Sequence, residues 1–164
     1  MKANRPAVLR EGVVAGALGA LGVAIWFLGV DIVAGRPFNT PATLGRVLLS
    51  ILGGADRGPV VNTLVYTVFH FAAFGAVGIV ASKLIHMARR MPHLTIGLML
   101  FFVTFQLGFY FVALALSQFD VIGTLGLYQI GAANLIASIA MGWFLWRLHP
   151  ELAGEFKAAL DGHA

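Results

Sequence analysis

Long apolar runs broken by short polar turns set the reading of this chain. The first run extends from Gly12 to about Gly35, after a basic tail carrying Lys2, Arg5 and Arg10. The others cover Val60 to about Lys83, Leu94 to about Ser117, and Val121 to about Leu148. A helix needs roughly 20 apolar residues to cross a bilayer, and each run is that long. The first also exceeds the apolar core of a signal peptide, about 7–15 residues, so it is read as a retained span. Between the first two runs, Leu44, Val47, Leu48 and Ile51 recur at helical spacing until Gly53 and Gly54. Asn39 or Thr40 can cap that helix, and Pro41 suits its first position. Residues 41–52 are too few to span and predict a short helix lying in the interface. The expected architecture is an all-α integral membrane protein. Four transmembrane helices (about 12–35, 60–83, 94–117 and 121–148) form a bundle, with the interfacial helix between spans 1 and 2. Residues 1–164 then make a single membrane domain with short cytoplasmic tails.

Composition supports this pattern. Of 164 residues, 59% are hydrophobic and 11% charged, whereas a soluble domain is about 45–50% apolar and about 25% charged. The surplus apolar surface needs lipid around it, and four spans with their connections use up the chain. The absence of cysteine excludes disulfides, iron–sulfur clusters, thiolate zinc and thiol catalysis. The net charge of +4 comes from basic residues that flank spans, so it speaks for topology and not for nucleic acid. Eight of the eleven basic residues (positions 2, 5, 10, 83, 89, 90, 147 and 157) fall on one side. Arg36, Arg46 and Arg57 fall on the other. Positive charge stays inside, which puts both termini in the cytoplasm. Arginine, alanine and glycine outweigh their alternatives, and this suggests a bacterial protein of the inner membrane. The basic loop with Lys83, His86, Arg89, Arg90 and His93 either attracts anionic head groups or only fixes this orientation.

Polar residues inside the runs are few, and each needs a partner in hydrocarbon. His70, Gln106 and Asn134 fall near the midpoints of spans two, three and four. They form either a polar site, for a ligand or for protons, or an interhelical hydrogen-bond cluster. Thr63, Thr67 and His70 share one helix face, with Tyr66 adjoining. Asp31, nearer the outer side, lies at a depth similar to Asn62, Tyr66, Tyr128 and Gln129. These line an outward-facing vestibule, or else Asp31 is capped or paired with Arg36 or Arg57 to fix the connection onto the bundle. Gly12, Gly16 and Ala20, with Gly19 beside them, form a small-residue stripe suited to helix packing. Gly16, Gly19 and Gly22 are spaced like a dinucleotide loop, but they lie inside a span with no preceding strand.

No catalytic set, metal motif or phosphate loop stands out, so no catalytic residue, metal or cofactor is expected. Two-histidine haem is excluded for His70 by the want of a second span histidine at matching depth. Haem or pigment on His70 alone ranks behind the other readings. The runs Trp26–Asp31, Gly35–Pro41 and Tyr66–Phe74 resemble small four-span bacterial inner-membrane proteins. Those proteins share a glycine-rich first span, a Thr-Pro connection and a His-Phe second span. The resemblance covers the first half of the chain and implies an architecture only, with no site residue to carry over. The expected function is non-enzymatic: a structural or accessory subunit packing against other membrane helices or against itself. The alternative is a small oligomeric transporter or channel with a midplane polar site.

Overall fold

The computed structural model describes residues 5–88 and 126–151. Four helices lie among them: α1 (Arg5–Val33), α2 (Asn39–Ile51), α3 (Pro59–Ala88) and α4 (Leu127–Leu148). Of these, α1, α3 and α4 are long and apolar enough to cross a membrane. The expected third span, 94–117, lies outside the described residues, as does the start of the fourth at 121. Both α1 and α3 outrun their apolar cores, at the N-terminal end of α1 and the C-terminal end of α3. Glu11 and His86 are therefore helical. The hydropathy edge marks the apolar slab, while Arg, Glu, Lys and Leu in the flanks still favour helix.

Helix α1 is central, packing on α3 and on α4, while α2 packs on α3. Along α1, Gly12 meets Gly78 and Ile79, Gly16 meets Phe74 and Gly75, and Ala20 meets His70. Numbers rise on α1 as they fall on α3, so the two are antiparallel. The same holds for α4: Gly19 abuts Met141, Gly22 abuts Ile136, and the Trp26 indole donates to the Gln129 carbonyl at 3.0 Å. Lipid tails are as apolar as the side chains they replace, so these contacts hold by close packing and hydrogen bonding. The small-residue stripe permits the approach. A β-carbon on Gly12 would collide with the Ile79 backbone, and one on Gly16 with the Phe74 carbonyl. Ala20, fully buried, joins Val23, Phe74, Ala133, Ala137 and Met141 in one core cluster. Ala15, Ala81, Ile85 and Leu145 form another toward the opposite end. The outer faces stay apolar and open, as at Ile25, Val33 and Val68.

The turn into α3 is built by two side chains. Asp56 Oδ1 accepts from the Gly58 N–H at 2.8 Å and from Asn62 Nδ2 at 2.9 Å. Asn62 Oδ1 in turn receives the Arg57 N–H at 3.4 Å. Pro59 then occupies the first helical position, where no N–H is needed. The Asn62 amide, then the Gly58 N–H, hold the Asp56 carboxyl below its ordinary 3.8; burial works against them, and Arg46 adds the least. A depressed folded-state pKa stabilises above that ordinary value, and the contribution fades as pH falls through the folded value. Melting curves taken on either side of about pH 3.8 should thus show a smaller acid-induced drop for Asp56→Asn than for wild type. Equal drops would remove this role.

Candidate functional site

At one end of the bundle α1 hands over to α2 through a carboxylate. Asp31 is 4% exposed and Thr40 3%. The Thr40 N–H donates to Asp31 Oδ2 at 2.7 Å, and the Thr40 hydroxyl donates to Oδ1 at 2.7 Å. The first N–H groups of a helix have no partner within it, and an anion there also meets the positive end of the helix dipole. Asp31 therefore caps α2 from nine residues upstream. This corrects the expectation that Asn39 or Thr40 supplies the cap. Both lie inside the first turn, and the capping position falls to Phe38, which makes no side-chain cap bond. It also gives Asp31 a partner other than Arg36 or Arg57. Of Arg36, only its backbone N–H meets Asp31, at the backbone carbonyl, 2.9 Å away.

Beneath this cap, α1, α2 and α3 border a partly open cavity of about 200 Å³. Its wall is mostly apolar (Val23, Ile25, Phe27, Leu28, Phe38, Phe71), and its polar members are Asp31, Thr40, Thr63, Tyr66, Thr67 and His70. The face of α3 bearing Thr63, Tyr66, Thr67 and His70 is thus turned toward α1. Close packing at Gly16 brings the His70 ring to α1, where its Nε2 lies 3.1 Å from the Ala20 carbonyl. A carbonyl only accepts, so Nε2 carries the proton and Nδ1 is left with a lone pair. Neither that Nδ1 nor the Tyr66 hydroxyl has a hydrogen-bond partner among the described residues. The Tyr66 ring stacks on His70 at 5.5 Å, and Phe74 tilts against it at 4.8 Å. Thr67 satisfies its own hydroxyl on the Thr63 carbonyl at 2.7 Å.

Other sequence candidates fall elsewhere. Tyr128 and Gln129 line a separate groove on the α4 side of α1, with Trp26 and Gly29. Asn62 is engaged by Asp56. The expected vestibule of Asp31, Asn62, Tyr66, Tyr128 and Gln129 is therefore divided by α1, leaving only Asp31 and Tyr66 together. Asn134 is 1% exposed on α4, and among the described residues its Nδ2 has no hydrogen-bond partner, His70 included. Gln106 lies outside the described residues.

A second polar cluster, which no local motif announces, occupies the opposite end. Glu11 from the start of α1, His86 from the last turn of α3 and His149 at the end of α4 converge there. His149 is 4% exposed although it stands beyond the last turn. The sequence signal was positional: each residue lies at the end of a run that the charge count places on the same side.

Comparison with known protein families, with curated proteins and with solved structures gave no match.

Proposed function

We propose that this chain is a non-enzymatic, four-span protein of the bacterial inner membrane, with both termini cytoplasmic, that binds a small amphipathic molecule between α1, α2 and α3. One observation carries the reading: an apolar cavity is lined by His70 and Tyr66, whose Nδ1 and hydroxyl have no hydrogen-bond partner among the described residues. In hydrocarbon, unpaired polar groups cost free energy, and a ligand that bonds to them removes that cost. An engineered apolar cavity of about 150 Å³ takes up benzene, so a cavity of about 200 Å³ suits a phenol-sized group. The His70 lone pair calls for a ligand with an O–H or N–H donor. Phe38, at the cavity rim, holds a left-handed φ of 65°. Backbone strain of this kind gathers at binding sites.

Thermal shift with an alkylphenol tests the proposal. The melting temperature of detergent-purified wild type should rise with probe concentration. Ala24→Phe, which fills the cavity from a wall position, should abolish the rise without lowering the starting value. No rise in wild type, or an equal rise in Ala24→Phe, would remove the cavity as a site.

The accessory-subunit reading keeps support from the exposed small residues Ala72, Ala73 and Ala76 on α3. Stripes of this kind let a partner helix approach closely. The stripe on α1 gives it none, because Gly12, Gly16 and Gly19 are already covered by α3 and α4. Under this reading Ala72→Leu with Ala76→Leu should release a partner or a second copy in mild detergent. An unchanged elution profile would weigh against it.

A further inference from the structure

We propose that Glu11, His86 and His149 form a three-ligand site for a divalent transition metal of the zinc class, independent of the cavity at the other end. Their ligand atoms all lie within 4.8 Å of one another. Glu11 Oε2 is the focus, 3.1 Å from His149 Nε2 and 3.8 Å from His86 Nε2. Two atoms each about 2.1 Å from a tetrahedral zinc stand about 3.4 Å apart, so the two separations bracket the value a shared ion requires. The imidazole rings meet edge to face, with centroids 5.0 Å apart and planes at 80°, so both present Nε2 without stacking.

The surrounding bonds point each ring the right way. His86 Nδ1 lies 3.0 Å from the Ser82 carbonyl, and His149 Nδ1 lies 3.4 Å from Glu151 Oε1. A carbonyl accepts, so His86 Nδ1 carries the proton in the neutral ring and its Nε2 lone pair faces the Glu11 carboxylate. His149 has a carboxylate at both nitrogens, Glu151 by Nδ1 and, nearer, Glu11 by Nε2. An ion bound to Nε2 takes the place of a proton there, and the Nδ1–H then donates to Glu151. Metal-binding histidines are characteristically oriented this way, with the far nitrogen donating to a carbonyl or carboxylate. The Ser82 hydroxyl donates to Glu11 Oε2 at 3.3 Å and steadies the third ligand. Two imidazoles and a carboxylate without thiolate suit zinc, and also cobalt and nickel, over the softer copper(I). With three protein ligands a fourth position stays open, as in sites that exchange a bound molecule. The Glu11 and His86 side chains, 21% and 15% exposed, leave a route for the ion. The ion would clasp the ends of α1, α3 and α4.

The test uses the full chain, purified in mild detergent with a tag free of histidine and stripped by a chelator. Zinc is titrated against a chromophoric chelator, and cobalt(II) is added to a second sample for its visible spectrum. One zinc per chain is expected, with cobalt bands of a four-coordinate site. Glu11→Gln and His149→Gln should each weaken zinc on the order of 100-fold or more. His93→Gln with His163→Gln should leave it unchanged, which excludes capture by the remaining histidines outside the spans. Zinc should also raise the wild-type melting temperature and leave that of His149→Gln in place. The cobalt spectrum of wild type keeps the proposal open to refutation even if a variant misfolds. Absence of stoichiometric zinc in wild type, or zinc held equally by the Glu11 and His149 variants, would overturn it.

Discussion

Replacing Gly16 with valine is expected to leave little or no folded protein. The new β-carbon would lie within the van der Waals radius of the Phe74 carbonyl and Gly75 Cα, which are backbone atoms and cannot swing aside. Overpacking in a core costs about 1–3 kcal/mol where side chains can shift. Here α1 and α3 must separate, so a loss of about 3 kcal/mol or more is expected. Separation would also break the His70–Ala20 bond and open the cluster around Ala20. Gly29→Ala and Gly142→Ala provide the contrast, since nothing lies within 4 Å of a β-carbon at either place. Those two should melt at or a few degrees above wild type, since alanine favours helix over glycine by about 1 kcal/mol. Size-exclusion profiles and melting curves in detergent decide it. A monodisperse, equally stable Gly16→Val protein would mean that α1 and α3 do not touch as described.

The second large effect is expected at Asp31. Leucine there leaves the Thr40 N–H and hydroxyl without acceptors in a buried corner. Hydrogen bonds to charged groups contribute about 1.5–3 kcal/mol each, so Asp31→Leu should lower stability by about 3 kcal/mol or more. Asp31→Asn should cost much less. Its carbonyl oxygen can accept the Thr40 N–H, and its amide can donate to the hydroxyl. Thr40→Val keeps the backbone bond and loses the hydroxyl, so it should fall between the two. In a double-mutant cycle, Asp31→Leu with Thr40→Val should be less damaging than the separate losses added together. Strict additivity would deny the direct bond. The cavity adjoins this cap, so alkylphenol binding should weaken along with it.

The hydrophobic runs located α1 and α3 because run length alone identifies such helices. The α2 helix was also legible, through its period and the glycines that end it. Rotation of each helix about its own axis was not. The polar face of Thr63, Thr67 and His70 marks one side of α3, but α1 is apolar on every side and carries no sign of which neighbour covers which face. Hence the separation of Tyr66 from Tyr128 by α1 could not be read from the sequence. Capping of α2 by Asp31 was hidden for a different cause. It depends on Phe38 taking a positive φ, which sequence rules assign to glycine or asparagine before phenylalanine. Glu11, His86 and His149 form no local motif, because antiparallel packing, and not sequence spacing, brings them together. Their common position at helix ends was visible and carried the information.

Both the cavity and the Glu11–His86–His149 cluster require α1 to run between α3 and α4, antiparallel to each. The chain has no native cysteine, so engineered pairs report on this cleanly in native membranes. Gly19→Cys with Phe74→Cys, and Gly22→Cys with Ile136→Cys, place the new thiols where the structure brings α1 against α3 and against α4. Gly19→Cys with Leu64→Cys pairs the first site with an exposed position several turns away on α3. Mild oxidation should cross-link the first two pairs within the chain and spare the third. Cross-linking of the third pair with failure of the other two would contradict the arrangement.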